Sequence, residues 1–143
     1  MVEIQAISVP EENAPRSSCI YYPLWFVQFA VSWRRLLFPK RRESVWVCVD
    51  GVRGVAHRVD VFPPTSTLRV ADSDILPLVV DRGDALKKAR VLVDWWARTR
   101  LFTWWSPVSG QREIHLLHKV YLIERESSRK VLRDSVTGER DFF

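Results

Sequence analysis

At 143 residues with 47% hydrophobic content, the chain can bury a core of its own, so neither a disulfide nor a metal staple is required and disorder over most of its length is excluded. The formal net charge of +5, from 22 Lys+Arg against 17 Asp+Glu, permits an anionic partner without demanding one. Cys19 and Cys48 lack C-x-x-C spacing and a His cluster at zinc-site intervals, so two buried thiols are expected rather than a metal or disulfide.

The N-terminal "VEIQAISVPEENAPRSS" has no basic start and no continuous apolar stretch of the kind a signal peptide carries, and a cytoplasmic location is expected. Its alternating "VEIQAISV" reads as an edge strand, followed by a Pro- and Glu-containing loop. Ile20 to Val31 reads as a strong strand. The segment stays apolar only from Ile20 to Trp33, shorter than the roughly 20 residues a spanning helix needs, and its aromatic and β-branched content favours a strand. No transmembrane helix is therefore expected, and peripheral membrane contact is the less favoured role for this segment.

Trp33 to Glu43 reads as a long basic loop, and Ser44 to Asp50 as a strand entering the turn "DGVRG". Val55 to Phe62 forms the next strand, stopped by Pro63 and Pro64. The following "TSTLRVADSDILPLVVDRGD" reads as irregular, with a short strand at Ile75 to Val80 that Pro77 confines to a sheet edge. The principal helix is expected over about 84–98. Asp84 is its candidate N-cap, and Ala85, Leu86, Ala89, Leu92, Val93 and Trp96 recur on one face. It ends at about Arg98, or continues to Trp105 before Ser106-Pro107. From Glu113 come two strands, "EIHLLHKVYLIER" and "RKVLRD", then a "SVTG" turn and "ERDFF".

"VCVDGVRGVA" (Val47 to Ala56) and "VLRDSVTGER" (Val131 to Arg140) share the pattern V-x-x-D-x-V-x-G. In a hairpin turn Asp can accept hydrogen bonds from amides further along, and Gly supplies the positive φ required at the last position. The apolar pattern of Ile20 to Phe29 also recurs in Leu116 to Arg125. An internal repeat of 20–62 and 114–143 follows, with the first copy carrying the longer connection, "SWRRLLFPKRRE". A tight loop at Glu126 to Arg129 places Tyr121 opposite Asp134, and by the repeat Trp25 opposite Asp50.

The helix with paired Ala, "ALKKARVLV", followed by a long strand, a second strand and "D-x-V-T-G-E" resembles PepSY-type modules over about Asp84 to Phe143. The resemblance implies a helix packed on a small antiparallel sheet, similar to cystatin-like folds. It also implies a binding, inhibitory, chaperoning or regulatory role without catalysis.

Chemical motifs are sparse. There is no phosphate-binding Gly-rich loop and no nucleophile elbow, and neither Cys has an evident base beside it. His115 and His118 fall on opposite faces of a strand and make a poor metal pair. No catalytic residue, cofactor or metal is assigned. The candidate binding residues lie in two places. One is the basic aromatic loop 33–42, with Trp33, Arg34, Arg35, Lys40, Arg41 and Arg42; the other is "WWARTRLFTWW", with Trp95, Trp104 and Trp105.

The expectation is a single α+β domain over 1–143, a mostly antiparallel sheet of two repeated β-hairpin units with one main helix across it. Its expected function is that of a non-enzymatic binding or regulatory module acting through protein contacts, including self-association as a homodimer. The alternative is a nucleic-acid-binding accessory protein using the basic loop. The Arg-rich cation set, with Asn13 the single Asn, fits a thermophilic source or a GC-rich genome equally well.

Overall fold

The computed structural model describes residues 1–10, 18–35, 38–100, 108–126, 129–134, 136–137 and 140–142. It is an α+β arrangement of strands β1 (Val2–Ile7), β2 (Cys19–Arg35), β3 (Phe38–Asp50), β4 (Ala56–Val59), β5 (Thr65–Val70), β6 (Val108–Glu126), β7 (Arg129–Asp134) and β8 (Arg140–Phe142), with one α-helix, α1 (Arg82–Arg100), between β5 and β6. The strands form a mixed sheet: β1–β5, β3–β4, β6–β7 and β7–β8 pair antiparallel, and β1 meets β6 in parallel. The chain divides into two compact units. One comprises Met1–Leu24, Pro63–Leu78 and Leu117–Phe143; the other comprises Trp25–Phe62 and Val79–Leu116.

In the second unit the strand order is β4-β3-β2-β6. Alternation decides which side chains meet the helix: Trp25, Val27, Phe29, Val31 and Trp33 of β2 and Val45, Val47 and Val49 of β3 point to one face and are buried there. Against them α1 presents Ala85, Ala89, Val93 and Ala97, one every turn and all small. The small stripe lets the helix axis approach the sheet closely, while the large rings of β2 fill the space on either side. Both buried indoles keep a hydrogen bond: Trp25 Nε1–H donates to the Val80 carbonyl at 2.8 Å and Trp33 Nε1–H to the Ala97 carbonyl at 3.4 Å.

Three readings of this region need correction. The stretch Trp33 to Glu43 is not a long loop, since β2 runs on to Arg35 and β3 begins at Phe38. The strands continue here because their inward positions carry Val31, Trp33 and Val45 into the core. The helix N-cap is Asp81 rather than Asp84. Asp81 Oδ1 accepts the Asp84 amide at 2.8 Å while its carbonyl accepts the Ala85 amide at 2.9 Å, so Asp84 lies inside the first turn. Ile75 to Val80 forms no strand; Ile75 makes one isolated parallel bridge to Tyr21.

The turn between β3 and β4 behaves as the sequence suggests. Asp50 Oδ1 accepts the amides of Val52 and Arg53, each at 2.8 Å, and Gly54 takes φ +75°. A Cβ at Gly54 would lie 3.1 Å from Lys88 Cε, the end of a flexible side chain that can give way, so it is the positive φ that calls for glycine. The Gly51 carbonyl beside it accepts the amides of Val79 and Val80 at 2.9 and 2.8 Å, which anchors the segment leading into α1.

In the first unit the order is β2-β6-β1-β5, with β7 on β6 and β8 on β7. β5 is a strand where irregular chain was expected. Its residues pair with the whole of β1, from Val2 against Val70 to Ile7 against Thr65. Its weak signal has a physical cause, because only Leu68 and Val70 turn inward and the rest of "TSTLRV" faces solvent. β1 is accordingly not an edge. It lies between β5 and β6, meets β6 in parallel through Ala6 and His118, and buries Ile4 and Ala6 with Tyr21, Val70 and Val120. Tyr121 pairs with Asp134, the register expected from the Glu126 to Arg129 connection. Neither Cys19 nor Cys48 is in a disulfide, and Cys19 Sγ lies 3.3 Å from the Tyr21 hydroxyl. Burial first, and then that contact, push the Tyr21 hydroxyl well above its ordinary range.

His118 is 7% exposed, and its Nδ1 has no hydrogen-bond partner. Burial lowers its pKa, opposed by a hydrogen bond with the Gln5 backbone. The unfolded chain therefore takes up the proton first. Stability contributed by neutral His118 is present above the unfolded value of about 6.5 and is lost as pH falls from there toward the folded value. Replacing His118 with Phe should flatten the decline of the urea midpoint between about pH 7 and pH 5. An unchanged slope would mean that other groups set it.

Candidate functional site

Two surfaces of the second unit carry chemistry. The first is the outward side of α1. The helix buries Ala85, Ala89, Val93 and Ala97, which leaves Lys88, Val91, Trp95 and Arg98 as a continuous stripe on the far side at three- and four-residue spacing. Val91 is 71% and Trp95 64% exposed. Beside them lies a recess of about 470 Å³ lined by Gly54, Ala56, Lys87, Lys88, Leu92 and Trp95. Its floor is apolar and its rim is cationic.

The second surface is the face of the sheet turned away from α1. The positions of β2 and β3 that alternate with the core residues point here: Phe26, Gln28, Ala30 and Ser32 from β2, with Arg42, Ser44, Trp46 and Cys48 from β3. At one end is an aromatic cluster. The Phe62 ring lies 4.8 Å from that of Trp46, 5.8 Å from Phe26 and 5.1 Å from His115, and His115 is 6.2 Å from Trp46. Farther along the same strands is a cleft of about 320 Å³ lined by Ala30, Val31, Ser32, Arg42, Glu43, Ser44 and Arg112. Arg42 of β3 and Arg112 of β6 both line this cleft, with Ala30 and Ser32 of β2.

The residues singled out from sequence separate sharply. Trp33 is 0% exposed and sits in the core under α1, its ring tilted against that of Trp96 at 6.0 Å, with the Arg41 guanidinium 5.8 Å from its ring. Packing accounts for it, and it offers no surface to a ligand. Arg41 and Arg42 are exposed and Trp95 is exposed, on different faces of the unit. The side chains of Arg34, Arg35 and Lys40, and residues Trp104 and Trp105, lie outside the described residues.

Sequence reasoning missed Trp46, Phe62 and Arg112. It also missed Lys119, whose ammonium pairs with Asp134 at 2.5 Å. Burial alone would raise the Asp134 pKa; the Lys119 hydrogen bond and charge, with the amides of Val136 and Thr137, outweigh it and hold the carboxyl below the usual range. Among the described residues no three of His, Cys, Asp and Glu converge as metal ligands would, and no helix is long and apolar enough to cross a membrane. Compared with models of protein families, with curated proteins and with solved structures, the chain matches none.

Proposed function

We propose that the chain is a non-enzymatic binding module that engages another protein through the outward side of α1. The observation carrying this reading is the adjacency of Val91 and Trp95, both largely exposed, to an apolar recess on a helix whose opposite side is fully packed. An indole left in water forfeits a large burial free energy, and a partner surface recovers it. The resemblance to PepSY-like modules, where a helix lies on an antiparallel sheet, supports a binding role. A repeat of 20–62 and 114–143 is supported by the matching turns: Asp134 Oδ1 accepts the amides of Val136 and Thr137 at 2.8 and 3.3 Å, as Asp50 does for its own turn.

Charge selects the occupant. In an antiparallel pairing of two α1 helices Lys88 would meet Arg98, and in a parallel one Lys88 would meet Lys88, so a second copy brings like charges together. An acidic amphipathic helix instead places carboxylates against Lys87, Lys88 and Arg98 while its apolar side covers Val91 and Trp95. A fluorescein-labelled amphipathic peptide of Glu and Leu, about twenty residues long, should bind the wild type. Trp95→Ala and Val91→Asp should each weaken it by more than about tenfold, with the urea midpoint nearly unchanged. Peptide binding indifferent to both variants would refute the reading. A stable dimer by light scattering that Val91→Asp dissolves would replace the acidic partner with a second copy.

A further inference from the structure

We infer that the sheet face opposite α1 is a second binding site and that its ligand is single-stranded nucleic acid. This surface is independent of the α1 side. Three features converge on it. The first is aromatic area: Trp46, Phe62 and His115 form a cluster of tilted rings at 4.8 to 6.2 Å, with Phe26 edge-on to Phe62. Trp46 and Phe62 are only partly buried and His115 is exposed. Flat π-faces on a sheet accept unstacked bases without regard to their identity.

The second feature is charge. Arg42 and Arg112 converge on one cleft with the hydroxyls of Ser32 and Ser44. Of the glutamates near it, Glu43 pairs with Arg41 at 3.8 Å, and Glu113 lies 3.4 Å from His115 Nε2. Arg42 and Arg112 have no ion-pair partner among the described residues. Two planar guanidinium groups lining one cleft suit phosphate oxygens, which they can hold bidentately.

The third feature is spacing. Arg42 and Trp46 share a side of β3 and are four residues apart, about 13 Å at ~3.3 Å per residue. A lone mononucleotide does not bridge that distance comfortably, whereas a strand of two or three nucleotides does. Gln28 and Ala30 of β2 lie between the two ends and leave a low path for the backbone. A duplex fits poorly, because its bases are already stacked on one another and are not presented to the rings. The same two arginines could hold a sulfated polymer or an anionic membrane, but neither would use the aromatic end.

The test is fluorescence anisotropy with labelled oligo(dT) and oligo(U) of about ten nucleotides, a duplex of similar length, and heparin as competitor. The single strands should bind and the duplex should bind more weakly. Trp46→Ala should weaken single-strand binding by roughly tenfold, and Trp46→Phe, which keeps a ring, much less. Arg42→Ala with Arg112→Ala should make the plot of log affinity against log salt shallower by about 1.4, the loss of two phosphate contacts. Arg69→Ala with Arg82→Ala, exposed cations elsewhere, should leave that slope unchanged. Thermal melts of all variants separate lost binding from lost folding, and the exposed arginine pair tests the site even if Trp46→Ala unfolds. Absence of oligonucleotide binding, or binding indifferent to both Trp46→Ala and the Arg42/Arg112 pair, would overturn the inference. So would heparin or phosphatidylserine vesicles binding in place of the single strands, and equal binding of duplex and single strand. None of these outcomes bears on the peptide site, whose variants lie on α1.

Discussion

Trp33→Ala should lower the unfolding free energy by about 3–5 kcal/mol, the range for truncating a fully buried aromatic side chain. The effect has several contributors. The indole packs between the sheet and the small-residue stripe of α1, lies 6.0 Å from the Trp96 ring and donates to the Ala97 carbonyl. Truncation leaves a cavity that cannot collapse easily, because the opposing helix residues are themselves small and fixed by backbone contacts. With a urea m-value of about 2 kcal/mol/M the midpoint should fall by about 2 M. Trp33→Phe retains most of the apolar area but not the donor, and should lie between the two. Trp95→Ala is the contrast: an equally large residue, exposed, whose removal should change the midpoint by no more than about 0.5 kcal/mol of stability. Equal shifts for Trp33→Ala and Trp95→Ala would contradict the assignment of one to the core and the other to a surface.

That pair also shows where sequence stops being informative. Both tryptophans neighbour arginines, and local composition gives them the same standing. Trp33 falls into step with Val27, Phe29 and Val31 on one side of β2, whereas Trp95 falls out of step with the Ala85, Ala89, Val93 and Ala97 stripe by a fraction of a turn. The helix face was legible because six apolar positions obeyed one period, and the β6–β7 register because a short connection leaves little freedom. The Trp33 to Glu43 segment was misread because its cations drew attention away from the alternation beneath them. The N-cap was ambiguous in "DRGD", where two acids stand three apart and the one that begins the helix is chosen by where the Gly51 carbonyl anchors the preceding chain. Of the sheet-face residues only Arg42 was legible. Arg42, Arg112, Trp46 and Phe62 are brought together by strand order, and no local pattern announces that β6 lies beside β2.

The same dependence on register gives the second large expected effect. Asp134 is 6% exposed and serves two functions: it accepts the Val136 and Thr137 amides, and it pairs with Lys119, which register places two residues before its partner Tyr121. Asp50 makes the same turn with two amides at 2.8 Å but is only half-buried. Asp134→Ala should therefore cost about 2–4 kcal/mol, since it removes the acceptor of both amides and the charge facing a largely buried ammonium. Asp50→Ala should cost about 1 kcal/mol, the ordinary value of a turn cap.

pH separates the two roles further. Because the Asp134 carboxyl is held below its ordinary value in the folded chain, its contribution is fully present above the unfolded pKa of about 3.9 and is lost as pH falls through the lower folded value. Asp134→Asn keeps an acceptor for the turn but abolishes this titration, so its urea midpoint should fall less steeply than the wild type's between about pH 5 and pH 2. Lys119→Met should be destabilising at neutral pH, where it leaves a buried carboxylate, and nearly harmless once that carboxylate is protonated. If Lys119→Met costs the same at acid and neutral pH, the lysine acts through its methylene packing and the ion pair contributes little. If its cost disappears on acidification, the charge pair holds β6 to the β7 turn.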